Sequence, residues 1–309
     1  MSVIRPPRLQ SGDRVRLVSP ASTPDRGDIE LVVAGLRSLG LVPEVGDHAF
    51  DVHGYLAGTD DDRLADLNQA FADPGVRAVI ATRGGKGAYR IADRLDVDSL
   101  RRHPKLLIGF SEITVLHLAL FRTLGLVGLH GAAWASELHG AASAASFERA
   151  VFSTDDVTVA ARAEESTSAL TTSGRASGRL IGGNQDMVAI SSGWALPSLD
   201  GAILLLEAVN LRLGHIDRQL TMLTNSGALD HIVGVAVGQY TRCGPEVDET
   251  IPDGWEAVEV LRDRLERLGV PILGGLPIGH GSNPVAVPLG TTATIDADPG
   301  TLVIESAVS

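Results

Sequence analysis

The 309-residue chain is poor in cysteine, in aromatic residues and in basic charge. Its single cysteine, Cys243, excludes an intramolecular disulfide and a zinc site assembled from thiolates. Aromatic residues make up only 4% of the chain, so the core must be built from Ala, Val, Leu and Ile. Its 26 Lys and Arg against 38 Asp and Glu give a formal charge of −12, which argues against a general nucleic-acid binder.

Long apolar runs are missing as well. No segment approaches the roughly 18 continuous apolar residues of a membrane span. Arginines scattered between Met1 and Pro20 leave no apolar stretch for a secretory signal. A composition of 44% hydrophobic and 21% charged residues is that of a globular protein. We therefore predict a cytoplasmic protein that does not enter a membrane and has roughly two domains.

The first half alternates short apolar runs with amphipathic stretches. The predicted strands are Arg14–Val18, Leu41–Val45, Val76–Ala81, Leu106–Phe110 and Val127–Leu129. The predicted helices are Ile29–Leu39, a helix to Ala72 that opens at the N-cap Thr59, Ala88–Arg94 and Glu112–Leu124. Strands separated by helices indicate a mostly parallel sheet. We predict a Rossmann- or flavodoxin-like α/β domain over residues 1–155, with its ligand beyond the carboxyl ends of the strands.

After Thr154 the pattern changes to Ala, Ser, Thr and Glu, and we predict an exposed linker over residues 156–177. A second, smaller α/β domain with a more mixed sheet is predicted over residues 178–309. Its predicted strands and helices are Arg179–Ile181, Gln185–Ser192, Ala202–Leu206, His215–Leu223, Ile232–Val237, Trp255–Leu268 and Pro271–Leu276. The turn residues 298–300 predict a terminal hairpin.

The strongest chemical signal is a serine between a strand and a helix. An apolar strand runs into Ser111, and an amphipathic helix begins at once. This geometry exposes a hydroxyl on a sharp turn, where the positive helix end favours an oxyanion. Two interpretations remain, because a serine at this position commonly caps the helix. The stricter G-x-S-x-G motif is also incomplete, since Ile113 occupies its last position.

A glycine-rich turn, Arg83–Gly87, follows another predicted strand. Glycines allow the backbone to approach a ligand and to direct N–H groups at an anion. The turn is not a Walker A loop, because Gly87 occupies the place of the required Ser or Thr. It also fits an ordinary tight connection between a strand and a helix.

A serine nucleophile requires a base and an acid that orients the base. His280 lies in a loop between two glycines, which leave its imidazole accessible. Glu207 ends a predicted buried strand, and a buried carboxylate is rarely left unpaired. Its partner is either a histidine or an arginine such as Arg212 or Arg218.

Ser111, Glu207 and His280, in this order along the chain and with the residues around them, resemble the LD-carboxypeptidase family of serine peptidases. This family includes muramoyltetrapeptide carboxypeptidases and microcin C self-immunity peptidases. The matching blocks span nearly the whole chain: Gly12–Asp13, Ser19–Ser22, Gly54–Asp60, Arg83–Gly85, Gly109–Ser111, His130–Gly131, Gly182–Asn184, Leu206–Glu207, Ile216–Arg218 and Gly275–His280. Several blocks in the right order are much more specific than any one of them.

The resemblance implies a Ser-His-Glu triad split between the domains, with Ser111 on the first and Glu207 and His280 on the second. It also implies an oxyanion hole made by the backbone N–H groups of Gly85 and Glu112, and no metal or cofactor. The family reaction is hydrolysis of an L,D-peptide bond, meso-diaminopimelate–D-Ala in the murein tetrapeptide, during peptidoglycan recycling. The family further suggests a homodimer.

The sequence departs from the family pattern around the predicted substrate site. Glu112 stands where the family usually has Asp, and Lys86 stands where an aromatic residue is frequent. Ala132-Ala133 occupies a place where murein-type members tend to have Pro. We expect Arg83, Gly84 and Lys86 to contact the substrate, with Lys86 or Arg83 meeting a carboxylate. A salt bridge within the loop is the alternative for Arg83.

Two other functions fit parts of the sequence. One is hydrolysis of aminoacyl- or peptidyl-nucleotide antibiotics, as in the immunity branch, which needs an aromatic platform such as Trp134 or Trp194. The other is a non-catalytic sugar- or nucleotide-binding module that uses the glycine turn. The module predicts that Glu207 and His280 lie far from Ser111.

Overall fold

The computed structural model describes residues 3–132, 140–245 and 254–309. The elements of the first half are β1 (Arg14–Val18), α1 (Arg26–Ser38), β2 (Val42–Val45), α2 (Asp60–Ala72), β3 (Val76–Ala81), α3 (Val97–Arg102), β4 (Leu106–Gly109), α4 (Thr114–Leu124), β5 (Gly128–His130) and α5 (Ala141–Phe152). The elements of the second half are β6 (Val157–Ala160), β7 (Arg175–Asn184), α6 (Gln185–Ile190), β8 (Ala202–Val209), α7 (Leu213–Asn225), β9 (Gly234–Thr241), α8 (Ala257–Leu265), β10 (Ile272–Leu273), β11 (Val287–Leu289), β12 (Thr292–Asp296) and β13 (Thr301–Ile304).

The first sheet has six strands in the order β11-β5-β4-β3-β1-β2. Its five N-terminal strands run parallel, and β11 pairs antiparallel with β5. Without β11, the order is that of flavodoxin-like folds, whose ligand site lies where the strand order reverses, between β1 and β3. The predicted fold class is confirmed, and the glycine turn after β3 lies at this reversal.

The second sheet has seven strands in the order β10-β9-β8-β7-β12-β13-β6. Strands β7 to β10 pair in parallel, and the pairs on the β12 side are antiparallel, so the predicted mixed sheet is confirmed. The predicted hairpin forms between β12 and β13. The segment predicted as an exposed linker instead contains β6, which pairs with β13, and buries Thr167 and Leu170. The alternation of buried and exposed residues in β6 gives this edge strand one face on the core.

The two halves are joined by more than one segment. Strand β11 follows the second domain in sequence but completes the edge of the first sheet. The C-terminal Ser309 also exchanges backbone hydrogen bonds with Pro6 and Arg8. The buried core is aliphatic, as predicted, and includes Phe71 and Phe147 among its few aromatic residues. No helix within the described residues is long and apolar enough to cross a membrane.

Candidate active site

Ser111 occupies a strained turn between β4 and α4. Its φ of 62° is in the left-handed region, which costs a residue other than glycine about 1–3 kcal/mol and is typical of functional sites. A single 3-10 turn, Ser111–Ile113, precedes α4, and Phe110 and Ile113 are the residues at the two cap positions. The Ser111 side chain therefore does not cap a helix, and the capping interpretation is wrong.

Glu207 and His280 form a hydrogen-bonded pair. Glu207 on β8 is fully buried, and its Oε2 accepts from Nδ1 of His280 at 2.7 Å. Its Oε1 accepts from the side-chain amide of Asn184 at 3.2 Å. The partner of this buried carboxylate is thus a histidine and an amide rather than an arginine. Because Nδ1 faces the carboxylate, Nε2 of His280 is the nitrogen available to a substrate or nucleophile.

A second histidine, which sequence reasoning did not assign a role, adjoins this pair. His130 at the end of β5 is 1% exposed, and its Nε2 lies 3.9 Å from Oε1 of Glu207. Neither ring nitrogen has a hydrogen-bond partner among the described residues. Burial lowers the pKa of His130 to about 4, so the ring is neutral near pH 7.

Phe110 links the serine turn to both histidines. Its ring centroid lies 4.8 Å from that of His280 and 6.1 Å from that of His130. The residue before Ser111 therefore packs directly on His280. Within the described residues, no hydrogen bond joins Ser111 to His280. The contact of Phe110 with His280 thus brings the residue before Ser111 to the Glu207–His280 pair, across the two domains.

Two buried side chains outside the predicted triad fix its second half. Asn184, at the end of β7, holds Glu207, and its backbone N–H donates to Thr114 Oγ1 at 3.0 Å, on the helix that follows Ser111. Gln239 on β9 holds the His280 loop, because its N–H donates to Ile278 and its Oε1 accepts from Gly281. Asn184 lies in a block that the family resemblance had marked, whereas nothing in the sequence marked Gln239.

The glycine turn lies against Ser111. A Cβ added to Gly84 would lie 2.8 Å from Ser111 Cβ and 3.3 Å from the Glu112 nitrogen, so only glycine permits this approach. Gly85 has a φ of 112°, and a Cβ there would meet Ser22 Oγ at 2.3 Å. The backbone of the turn thus runs past the hydroxyl and the N–H that follows it.

The basic residues of the turn point outward. Arg83 is exposed and donates to the carbonyl of Thr23 at 3.2 Å. Lys86 is exposed at the wall of a cavity of about 550 Å³, which Ser22, Tyr55, Gly85 and Tyr89 also line. The cavity borders Gly85, the proposed oxyanion donor. Of the two predicted cations, Lys86 and Arg83, it is Lys86 that lines this cavity and could bind an anionic ligand there.

Other reactive or metal-ligating side chains make no hydrogen bond, among the described residues, to Glu207 or His280. His48, Asp51 and Asp62 place potential metal ligands within 4.8 Å of one another, but Asp62 already accepts the N–H and hydroxyl of Thr59. Burial raises the pKa of the Cys243 thiol to about 11, which keeps it protonated and weakly nucleophilic. Trp194 is 40% exposed, and its indole N–H donates to the Ile190 carbonyl. Trp134 and Ala133 lie outside the described residues.

Comparison with known proteins finds matches to both halves of the chain. The models of the LD-carboxypeptidase N-terminal and C-terminal domains match residues 15–131 and 177–295. A probable murein peptide carboxypeptidase of Bacillus subtilis is 35% identical and covers 99% of this chain and 95% of its own. The murein tetrapeptide carboxypeptidase of Pseudomonas aeruginosa is 30% identical, covering 92% of this chain and 94% of its own. The crystal structure of an MccF-like protein of Bacillus anthracis superposes with a TM-score of 0.86 at 25% identity, covering 98% of this chain and all of that one.

Proposed function

The chain belongs to the LD-carboxypeptidase family of serine hydrolases, and on that premise we propose that it hydrolyses the meso-diaminopimelate–D-Ala bond of murein tetrapeptide. The observation that carries the proposal is the Glu207–His280 pair at 2.7 Å, placed against the strained Ser111 turn through Phe110. The relatives that act on murein peptides support the substrate. We further propose that the protein acts in the cytoplasm, in peptidoglycan recycling, as a homodimer.

The proposed reaction uses these groups in two steps. Ser111 Oγ attacks the carbonyl of the L-centre while His280 Nε2 takes its proton, and Glu207 stabilises the resulting imidazolium. The backbone N–H groups of Gly85 and Glu112 donate hydrogen bonds to the oxyanion. Collapse of the tetrahedral intermediate breaks the C–N bond, and His280 returns the proton to the amine of the leaving D-Ala. Water, deprotonated by His280, then hydrolyses the acyl-enzyme.

The substrate carboxylate requires a cation near the cleft of this acidic protein. Lys86 projects from the glycine turn beside the cavity, and Arg83 is exposed at the start of the same turn. We assign Lys86 as the first contact for the carboxylate, since it lines the cavity next to Gly85. Gly84 contributes by allowing the backbone of the glycine turn, which lines the substrate site, to pass close to Ser111.

A second candidate is hydrolysis of an aminoacyl- or peptidyl-nucleotide antibiotic. It is favoured by the structural similarity to the MccF-like protein, at a TM-score of 0.86. Trp194 is the described aromatic candidate for a nucleobase platform, with 40% of its surface exposed. The two functions share the triad and differ only in the leaving group and its contacts.

The proposal is tested by incubating the purified protein with murein tetrapeptide and, separately, with an acyl-sulfamoyl adenylate. We expect D-Ala release from the tetrapeptide, and we expect Ser111→Ala to abolish it while the thermal unfolding midpoint remains within a few degrees. Release of D-Ala at the wild-type rate by Ser111→Ala would refute the mechanism. Cleavage of the adenylate alone would favour the second candidate.

A further inference from the structure

The Glu112 side chain joins two turns that come from different strands. Glu112 directly follows Ser111 after β4, yet its carboxylate is 3% exposed and turns towards the glycine turn after β3. Its Oε1 accepts from the N–H of Gly87 at 2.7 Å and from that of Ala88 at 3.0 Å. Of the N–H groups in the glycine turn, that of Gly87 is therefore occupied by a carboxylate of the protein itself, whereas that of Gly85 is not bonded to Glu112.

The peptide group between Gly87 and Ala88 is also held at its carbonyl oxygen. Arg63 on α2 is 1% exposed, and its Nη1 donates to the carbonyl of Gly87 at 2.8 Å and to that of Pro20 at 2.6 Å. Gly87 thus has its N–H bound to a buried carboxylate and its carbonyl bound to a buried guanidinium. Hydrogen bonds to charged groups are about twice as strong as neutral ones, so the end of the glycine turn is held firmly.

This contact controls a distance that matters for the reaction. The two proposed oxyanion donors are the N–H of Glu112, on the serine turn, and the N–H of Gly85, on the glycine turn. Such donors act when they lie 2.7–3.1 Å from the developing oxyanion. A misplacement of about 1 Å can cost about 100-fold in rate. The Glu112 carboxylate connects these two turns directly, because Gly87 is only two residues from Gly85.

We propose that Glu112 is a positioning residue. Its side chain fixes the glycine turn against the serine turn and thereby sets the separation of the two proposed oxyanion donors, the N–H groups of Gly85 and Glu112. The inference rests on Ser111 being the nucleophile but not on the identity of the peptide substrate. Burying an ionisable carboxylate is unfavourable by itself, and burial raises the pKa of Glu112 while its bonds to Gly87 and Ala88 lower it. The two hydrogen bonds therefore stabilise the buried carboxylate, and the carboxylate in turn satisfies the two backbone N–H groups.

The test compares Glu112→Ala and Glu112→Gln with Asp66→Asn as a matched control. Asp66 is also a buried carboxylate of the first domain, 4% exposed, and it accepts the backbone N–H of His48 at 3.0 Å. Three quantities are measured on each intact protein. They are the rate at which a fluorophosphonate labels Ser111, kcat and KM for D-Ala release from tetrapeptide, and hydrogen exchange of residues 84–88.

For Glu112→Ala we expect labelling and kcat to fall about 10- to 100-fold with KM within about threefold, because ground-state contacts are retained. Hydrogen exchange should rise in residues 84–88. Glu112→Gln keeps an acceptor oxygen and folds more readily, and it should lose about tenfold or less in both rates. Asp66→Asn should lose stability but keep wild-type labelling.

Each other outcome contradicts a specific claim. Wild-type labelling rates in both Glu112 variants, or unchanged exchange in residues 84–88, would overturn the positioning role. An equal loss in Asp66→Asn would overturn it too, since the effect would then be general destabilisation. A wild-type protein that is labelled at Ser111 but releases no D-Ala would refute the murein substrate alone. A wild-type protein that is neither labelled nor active would refute both.

Discussion

A carboxylate with no exposed surface must find all of its partners inside the protein, and Glu207 does so with groups from three strands or loops. His280 donates to one of its oxygens and Asn184 to the other, while the neutral His130 ring stands 3.9 Å away. Since an unpaired buried charge is strongly unfavourable, these neighbours keep Glu207 in one orientation. That orientation in turn determines which nitrogen of His280 faces the cleft.

Replacing this carboxylate with an amide tests the orientation directly. We expect Glu207→Gln to lower kcat by about 10²- to 10⁴-fold, because the new NH₂ can face Nδ1 and favour the wrong imidazole tautomer. D-Ala release from tetrapeptide measures the loss, and circular dichroism checks the fold. Glu44→Gln, on the edge strand β2 at the end of the first sheet opposite β5 and β11, is the control with expected wild-type activity. Activity of Glu207→Gln within about threefold of wild type would exclude Glu207 from the triad.

The sequence pointed to the residues that carry out chemistry better than to those that support them. Ser111 follows β4 and Glu207 ends the apolar run of β8, and the end of an apolar run is visible in a hydrophobic pattern. The carboxylate of Glu112 and the amide of Gln239 could not be assigned, because their partners are backbone groups of segments distant in sequence. Backbone N–H groups look the same at every position, so no residue pattern indicates which of them will need an acceptor.

At the scale of elements, boundaries were predicted where a local hydrogen bond defines them. Thr59 and Asp62 form a capping box, and α2 begins at Asp60 and ends at Ala72, as expected. The missed elements are α3, α5, β6 and β11. Two of them are edge strands of three or four residues, and β11 contains Pro288, so their stability comes from the neighbouring strand rather than from their own pattern. The predicted helix 88–94 is only a single 3-10 turn, Ala88–Arg90.

The cap of α2 supports the site at a distance, because α2 carries the buried Arg63 that holds Gly87. Thr59→Ala removes the side-chain acceptor of the Asp62 N–H, a bond of 3.2 Å. We expect the free energy of unfolding to fall by about 1 kcal/mol, as measured by urea denaturation. Thr59→Ser keeps the hydroxyl and should retain most of the stability. Equal stability of Thr59→Ala and the wild type would contradict the role of the cap.

At the scale of the whole molecule, two of the histidines that the structure describes are buried without charge. Burial lowers the pKa of His117 and of His130 to about 4, from an ordinary value of 6.5. Between these values the unfolded chain binds protons that the folded chain does not. Their contribution to stability is therefore complete above pH 6.5 and is lost as the pH falls towards 4. The free energy of unfolding should therefore fall between about pH 6.5 and pH 4, a range in which most exposed carboxylates are still ionised.

Removing one of these histidines should flatten the dependence of stability on pH. His117 donates to the Gly109 carbonyl at 2.9 Å, and His117→Gln should lower stability at pH 7 through lost packing. Between pH 7 and pH 5, however, its free energy of unfolding should fall by about 2 kcal/mol less than that of the wild type. Urea denaturation at several pH values measures both effects. His103→Gln, at an exposed position, should keep the wild-type slope. The same slope in both variants would contradict the prediction.

The crossing of β11 into the first sheet has a consequence for how substrate enters. The loop that carries His280 starts from β10 in the second sheet and ends in β11, which is paired with β5 in the first. His280, the proposed general base, thus lies on a segment anchored in both sheets, and the domains cannot move apart without breaking the hydrogen bonds between β5 and β11. We therefore expect the two domains not to open by a hinge motion, and the segment that carries His280 to keep its position relative to β5 while substrate binds.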